Sequence, residues 1–296
     1  MIGNLYLRLR TGYNPWRKMA ALLLRQKALL LRARQSPRRD ELVVSLTAIP
    51  ARVSQLRYTL LSILNGEELP GRVLLYVSEA TAEAIAAGGD AILEELVAAD
   101  FLEIRRVEDV GPHTKLVYAL ADFPDKHIIV CDDDIVYPPH WVSALRRRYA
   151  EVAGERTIVC HRAHRVSRDA AGRVASYADW PKEVASVPGS LVSDDYFPTG
   201  TGGILFPAGS MPALTRDVEQ FRRLAPKADD IWFWFCARRA GYTFSLTHTT
   251  YDKDSAPEIP NYDSPNLYYD NVGGSANDEQ FARCQRFFAM DYGLTL

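Results

Sequence analysis

Two acidic groups carry most of the chemical information in this 296-residue chain. The run Ile128-Ile129-Val130-Cys131-Asp132-Asp133-Asp134 leads an apolar stretch directly into three carboxylates. Like charges this close need a cation, a proton or a basic side chain to coexist. On an extended backbone, residues two apart point the same way, so Asp132 and Asp134 are expected to converge while Asp133 faces elsewhere. Two oxygen ligands beside open positions suit Mg²⁺ or Mn²⁺ held jointly with substrate phosphates. An acidic turn capping a helix that starts at Pro138-Pro139 is the plainer alternative. The second group is Asp229-Asp230, which opens the segment DDIWFWFCARRAGY. Trp232–Phe235 are apolar all round, which predicts a buried helix, with Gly241 as its left-handed C-terminal cap. Acids at a helix N-terminus complement its dipole by about 1 kcal/mol, so capping is one explanation for them.

The elements that must position these groups follow from pattern. Leu42–Thr47, Arg72–Ser78, Leu102–Val107 and His127–Cys131 have the composition of strands. Between them, Arg52–Leu64, Thr81–Ala99 (interrupted at Gly88-Gly89) and His113–Ala121 have helical periodicity. Such alternation implies an α/β fold with a mostly parallel central sheet flanked by helices. Ligands in such sheets bind at the carboxyl ends of strands. After residue 140 the expected elements are a helix at Trp141–Tyr149, strands at Thr157–His161 and Ile204–Phe206, and a closing helix at Asn277–Met290. Residues 250–275 form a long Pro-, Tyr- and Asp-rich loop, a length that is usually functional or disordered.

Charge is distributed unevenly. Residues 1–39 hold ten of the 35 basic residues and none of the 37 acidic ones, so the rest of the chain carries a formal charge of −12. That body is a poor partner for nucleic acid. Residues 15–35 are expected to form a basic helix too interrupted by charge to span a bilayer. Contact of residues 1–38 with anionic lipid is one expectation; a partner-binding helix or a solvated arm are the others. Cys131, Cys160, Cys236 and Cys284 show no CxxC spacing, which argues against a zinc site or a disulfide framework and for a reducing compartment. The expected division is residues 1–40 as the basic segment and 41–296 as one domain. Within that domain, 41–135 form the nucleotide-binding half, 136–250 the acceptor and catalytic half, and 251–296 the C-terminal loop and helix.

The sequence HIIVCDDDIVYPPHW resembles the DxD region of GT-A glycosyltransferases. SLTAIPARV (45–53), GPHTKL (111–116), GTGGILFPAGS (200–210) and DDIWFWFCARRAGY are similar to segments of bacterial family-2-like enzymes that build surface polysaccharide. The resemblance covers roughly residues 42–250. It implies a GT-A fold and metal-dependent transfer of a sugar, with inversion, from a nucleotide-sugar donor to a glycan or lipid-linked glycan acceptor. The work would be done in the cytoplasm, at the inner face of the plasma membrane. It implies Asp134 and Asp132 as ligands of Mn²⁺ or Mg²⁺, with the cluster including Asp133 near the donor. Asp230 would be the general base and Asp229 its neighbour, with an apolar Trp232 where the family often has another acid. Thr47 and Arg52, after the first strand, are candidates for contacting the nucleotide. Lys115 is one for offsetting diphosphate charge; Gly200, Gly202 and Gly203 are candidates for letting backbone approach the donor sugar closely, or simply make a turn before the strand at Ile204–Phe206. His248 follows the strand after which many such enzymes place a metal-binding His. His113 and His161 are expected to be structural. Trp180, Tyr262, Tyr268 and Tyr269 are candidates for stacking on sugar faces.

Two other classes compete. A nucleotidyltransferase or metal-dependent phosphohydrolase on a similar sheet would use the same acids, although SLTAIPARV lacks the glycines that pyrophosphorylases carry after the first strand. A catalytically inert glycan-binding protein is the third, disfavoured by the presence of both acid clusters.

Overall fold

The computed structural model describes residues 15–152, 154, 156–184, 192–248, 254–260 and 276–296. Helix α1 (Pro15–Gln35) leads to β1 (Arg39–Thr47), which starts three residues before the expected strand. A 3₁₀ turn (Pro50–Gln55) then enters α2 (Leu56–Leu64), so the expected single helix from Arg52 is split. After β2 (Pro70–Val77) come α3 (Glu79–Gly88) and α4 (Ala91–Ala98). The break falls at the glycines: Gly89 takes a left-handed φ of 54°, and the Asp90 carboxylate accepts from the Ile92 amide to start α4. β3 (Leu102–Arg106), α5 (Thr114–Asp122) and β4 (His127–Val130) complete the first half.

The second half comprises α6 (Trp141–Glu151), β5 (Thr157–Cys160), a small ladder of β6 (Ala163–Arg165) with β7 (Tyr196–Pro198), and β8 (Ile204–Phe206). It continues through α7 (Val218–Leu224), α8 (Asp229–Arg239), β9 (Thr243–Leu246) and α9 (Ala276–Tyr292). Among the described residues the main sheet has seven strands in the order β3-β2-β1-β4-β8-β5-β9. Only β8 runs antiparallel to its neighbours, so the sheet is mixed and mostly parallel, as the alternation implied.

Strand alternation sends side chains to two cores, one on each face. Leu42, Val44 and Leu46 of β1 join Ile129 and Cys131 on one side. Val43 meets Ile128 and Val130 on the other, where α8 and α9 pack. Covering both faces buries the central strands along most of their length, while the edge strand β3 and the start of β1 stay partly exposed. α1 is not a free arm. Met19, Leu22, Leu29 and Ala33 are buried in the first core, against α2 and α4. Among the described residues, no helix is long and apolar enough to cross a membrane.

Candidate active site

Strand order fixes where a ligand can sit. β2 lies on one side of β1 and β4 on the other, so the chain reverses its direction of travel across the sheet at the β1/β4 junction. The carboxyl ends of strands at such a reversal leave a crevice. The segment after β1 supplies Arg52 there, and the segment after β4 supplies Asp132, Asp133 and Asp134.

The three acids do not share one direction. β4 ends at Val130 and the chain turns through Asp133-Asp134, so alternation no longer applies. The expectation that Asp132 and Asp134 converge while Asp133 points away is corrected. Asp133 and Asp134 both pair with Arg52 Nη1, each at 2.9 Å, while Asp132 pairs with Lys115 Nζ at 2.9 Å. The turn is held from behind: Thr59 Oγ1 donates to the carbonyls of Asp133 and Ile135 at 2.9 Å, and the Ile259 amide donates to the Asp134 carbonyl at 2.6 Å. Neither acid group is a helix cap. α6 and α8 have no side-chain cap at their N-termini.

Lys115 joins the two clusters. Its helix, α5, is fixed to β1 by Ser45, whose buried hydroxyl donates to the Lys115 carbonyl at 2.5 Å. The buried ammonium lies 2.9 Å from Asp132 and 3.1 Å from Asp229, the latter an ion-pair contact without hydrogen-bond alignment. Asp230, next in α8, is half-buried and accepts from the Gly200 amide at 3.0 Å. The Gly200–Gly203 loop also links back to the first cluster. Tyr137 Oη donates to the Thr201 carbonyl at 3.2 Å and accepts from the Asp132 amide at 3.0 Å. The groups at 132–134 and 229–230 are therefore brought together through Lys115, which contacts one acid of each.

Electrostatics follow from five carboxylates sharing two cations. Burial alone would lower the Lys115 pKa, but Asp132, Asp229 and Asp230 hold it well above the ordinary value. Burial pushes Asp132 up, yet Lys115 outweighs it and keeps that carboxyl below its usual range. At Asp133, Asp134 and Asp230 the nearby cation does not outweigh burial. Burial, then the neighbouring Asp133 charge, raises Asp134 to about 7. Burial, then Asp229, raises Asp230 to about 8. Part of that burial is an apolar wall: Asp230 borders a void of about 10 Å³ with Phe206, Phe233 and Trp234. Asp133 is also raised by burial, and among the described residues its Oδ2 has no hydrogen-bond partner.

An oxygen-only donor set with excess negative charge fits a hard divalent cation. Asp132 and Asp134 have the chemistry to hold one. Among the described residues no three His, Cys, Asp or Glu side chains come together as a ready metal cluster, and Arg52 and Lys115 supply the counter-charge.

The other candidates divide. Thr47 ends β1, half-buried at the same sheet edge, in register with Tyr76. Gly202 packs toward Arg162, where a Cβ would come within 2.6 Å of that side chain, and its carbonyl accepts from Trp141 Nε1 at 2.8 Å. It is a scaffold position here, whereas Gly200 is the loop glycine that touches the acids. The His248 ring lies 2.9 Å from Arg148 Nη1 and 3.1 Å from Glu151, so it is engaged at α6 rather than with the aspartates. Trp180 is buried against Phe197 and Phe281 and donates to the Ala175 carbonyl, which removes it as a stacking platform. Tyr262, Tyr268 and Tyr269 lie outside the described residues. His113, stacked on Phe221, and His161, bonded to Trp141 and Thr247, are buried structural residues; burial pushes both down to about 4. Thr59 lies in none of the motifs, while Tyr137 and Gly200 lie within quoted motifs, and their contacts to the acids were not marked by them.

No protein-family profile matches the chain, and no curated protein does. Solved structures of similar outline include a 4-diphosphocytidyl-2C-methyl-D-erythritol synthase, 13% identical with a TM-score of 0.40 over 78% of this chain and 97% of that one. Another is a CMP:2-keto-3-deoxy-manno-octonic acid synthetase in complex with CTP, 11% identical with a TM-score of 0.41 over 80% and 99%. Likeness at that level says nothing about the reaction.

Proposed function

We propose that the chain is an enzyme that transfers a group from a nucleotide-activated substrate in the crevice between Asp132–Asp134 and Asp229–Asp230, and that the group is a sugar. The observation carrying this is the placement of one buried lysine, Lys115, between an acid cluster at the strand ends and a second pair at the start of α8. One cluster suits the donor diphosphate and its counter-ions, and the other a base. A divalent cation held by Asp132 and Asp134 would supply charge neutralisation for the departing diphosphate. Arg52 and Lys115 have the position to add to it. Asp229 is buried and committed to Lys115, so it orients the lysine. Asp230 is the less buried of the two and has no lysine contact of its own.

A base is most effective when its pKa lies near the working pH, and Asp230 at about 8 meets that condition. As the acceptor oxygen bonds to the anomeric carbon, its proton moves to the Asp230 carboxylate. The carbon–oxygen bond to the diphosphate breaks, and its electron pair leaves with the nucleotide. The test is Asp230→Asn. Transfer should fall at least 100-fold while Mn²⁺-dependent binding of nucleoside diphosphate persists by calorimetry; turnover within tenfold of wild type ends the base assignment.

Nucleotidyl transfer is the second reading, and Arg52 favours it. A guanidinium held in the segment after β1, against two acids, also suits a triphosphate. Product analysis separates the two. Pyrophosphate released from a nucleoside triphosphate such as CTP supports nucleotidyl transfer; nucleoside diphosphate released from a nucleotide sugar supports glycosyl transfer.

A further inference from the structure

Helix α1 has a second face that the core does not use. Met19, Leu22, Leu29 and Ala33 face inward, yet Trp16, Leu24 and Leu31 are exposed, and Leu24 at 88% is the most exposed large apolar side chain described. At 100° per residue, Ala20, Leu24, Ala28 and Leu31 form one stripe within about 80° of arc, interrupted in the first turn by the exposed Arg17, and Trp16 lies about 40° outside it. Arg25 borders the stripe on one side, and Lys27 and Arg34 border the other. Among the described residues, no carboxylate pairs with Arg25 or Lys27; Arg34 reaches Glu95 at the helix's end. An apolar ridge between two basic margins, on a helix without a single acid, is complementary to a surface with an apolar interior and anionic head groups. A protein patch facing the same stripe would have to be both apolar and acidic along its length.

We infer that the outer face of α1 docks the protein on an anionic lipid surface, lying in the interface and not crossing it. The basic residues along α1 exclude a span. The inner-face contacts hold α1 rigidly on α2 and α4, so docking involves no folding of the helix. This surface is separate from the acid crevice, and its success or failure does not bear on the reaction assigned there.

The fold dictates the form of the test. Deleting α1 would strip Met19, Leu22 and Leu29 from the core, so the substitutions belong on the outer face of the full chain. The probes are flotation with vesicles of phosphatidylcholine alone and of phosphatidylcholine with 30% phosphatidylglycerol. The wild-type chain should float with the anionic vesicles only, and less so in 0.5 M NaCl. Leu24→Glu with Leu31→Glu should lower the partition coefficient at least tenfold, and Arg25→Glu with Lys27→Glu by roughly fivefold per charge removed. Trp16 gives an independent signal: it is exposed, while Trp141, Trp180, Trp232 and Trp234 are buried. Acrylamide should quench Trp16 in solution and be excluded when anionic vesicles are added. Unchanged melting temperatures establish that the variants fold. Flotation unaffected by both double variants, or no flotation with continued quenching, overturns the proposal. So does concentration-dependent dimerisation, abolished by Leu24→Glu with Leu31→Glu, without vesicle binding, because the stripe would then serve a second copy of the chain.

Discussion

Replacing Lys115 with Met tests the electrostatics of the crevice directly. The methionine keeps most of the volume but removes the ammonium that lies 2.9 Å from Asp132 and 3.1 Å from Asp229. Removing one partner from a buried ion pair leaves an uncompensated charge and costs about 3–5 kcal/mol. For a protein of this size about 1 kcal/mol corresponds to roughly 2 °C, so the melting temperature at pH 7.5 should fall by roughly 6–10 °C. The loss should be smaller at pH 5, because Asp132, no longer held low by the lysine, can take up a proton there. Adding Asp229→Asn should recover part of the loss, since it removes one of the two stranded charges. Mn²⁺ should raise the melting point of the variant more than that of the wild type, because a cation then has no ammonium to compete with. Differential scanning calorimetry on the wild type and the two variants, at both pH values and with and without Mn²⁺, reads all four effects. A variant melting within 2 °C of wild type at pH 7.5, or losing equally at pH 5 and 7.5, would refute the placement of Lys115 as the counter-ion shared by the two clusters.

Three further outcomes are expected. Gly203→Ala should destabilise by roughly 2–4 kcal/mol in urea unfolding, because Gly203 has φ 94° and a Cβ there would come within 2.6 Å of the Trp141 ring. Without metal, the melting temperature should decline between pH 5 and pH 8. Asp134 and Asp230 hold protons in the native state that the unfolded chain releases near 3.8, so their contribution is present at low pH and is lost as pH rises through about 7 and about 8. Mn²⁺ should flatten that slope, and a melting temperature that rises over the window contradicts the raised values. Asp134→Ala should weaken Mn²⁺-dependent nucleotide binding at least tenfold by calorimetry while leaving the melting temperature without metal equal to or above that of wild type; unchanged affinity removes Asp134 from the ligand set.

The layers of this fold were legible because both signals that encode them are local. Alternation of short apolar runs with helical stretches predicted four of the parallel strands, and the helix break fell at Gly88-Gly89 because Gly89 can take a left-handed φ that the next N-cap, Asp90, requires. The acids were found for a similar reason, since a buried strand running into carboxylates is visible without knowing the partner. What periodicity cannot see is where a strand stops. Asp132 and Asp134 take different partners, Lys115 and Arg52, because β4 ends at Val130, one residue before the expected end, and alternation does not carry through the acids. Long-range pairing was equally hidden: nothing near Lys115 in the chain marks it as the residue between Asp132 and Asp229, and nothing near Tyr137 marks its bridge to Thr201. His248 and Trp180 failed as site residues on the same ground, because Glu151 and Phe281, which engage them, come from distant segments.

The two acid clusters explain each other's instability. A single trio at 132–134 would be balanced by Arg52 and Lys115, leaving one excess charge. Adding Asp229 and Asp230 makes the excess three, and the raised carboxyls are Asp133 and Asp134, which share Arg52, and Asp230, which has no ion-pair contact within 4 Å among the described residues. A fold selected only for stability would replace such residues, since buried ionic groups are often exchangeable for apolar ones at no cost. Here the scaffold instead spends specific contacts on keeping them: Thr59 and Ile259 brace the first turn, Ser45 fixes the helix of Lys115, and the Gly200 amide holds Asp230. Such dedicated supports favour the proposed site, whose charge balance would be completed by something that enters it. Whatever enters must bring positive charge and tolerate Arg52 and Lys115, and a divalent cation arriving with a polyphosphate satisfies both conditions at once.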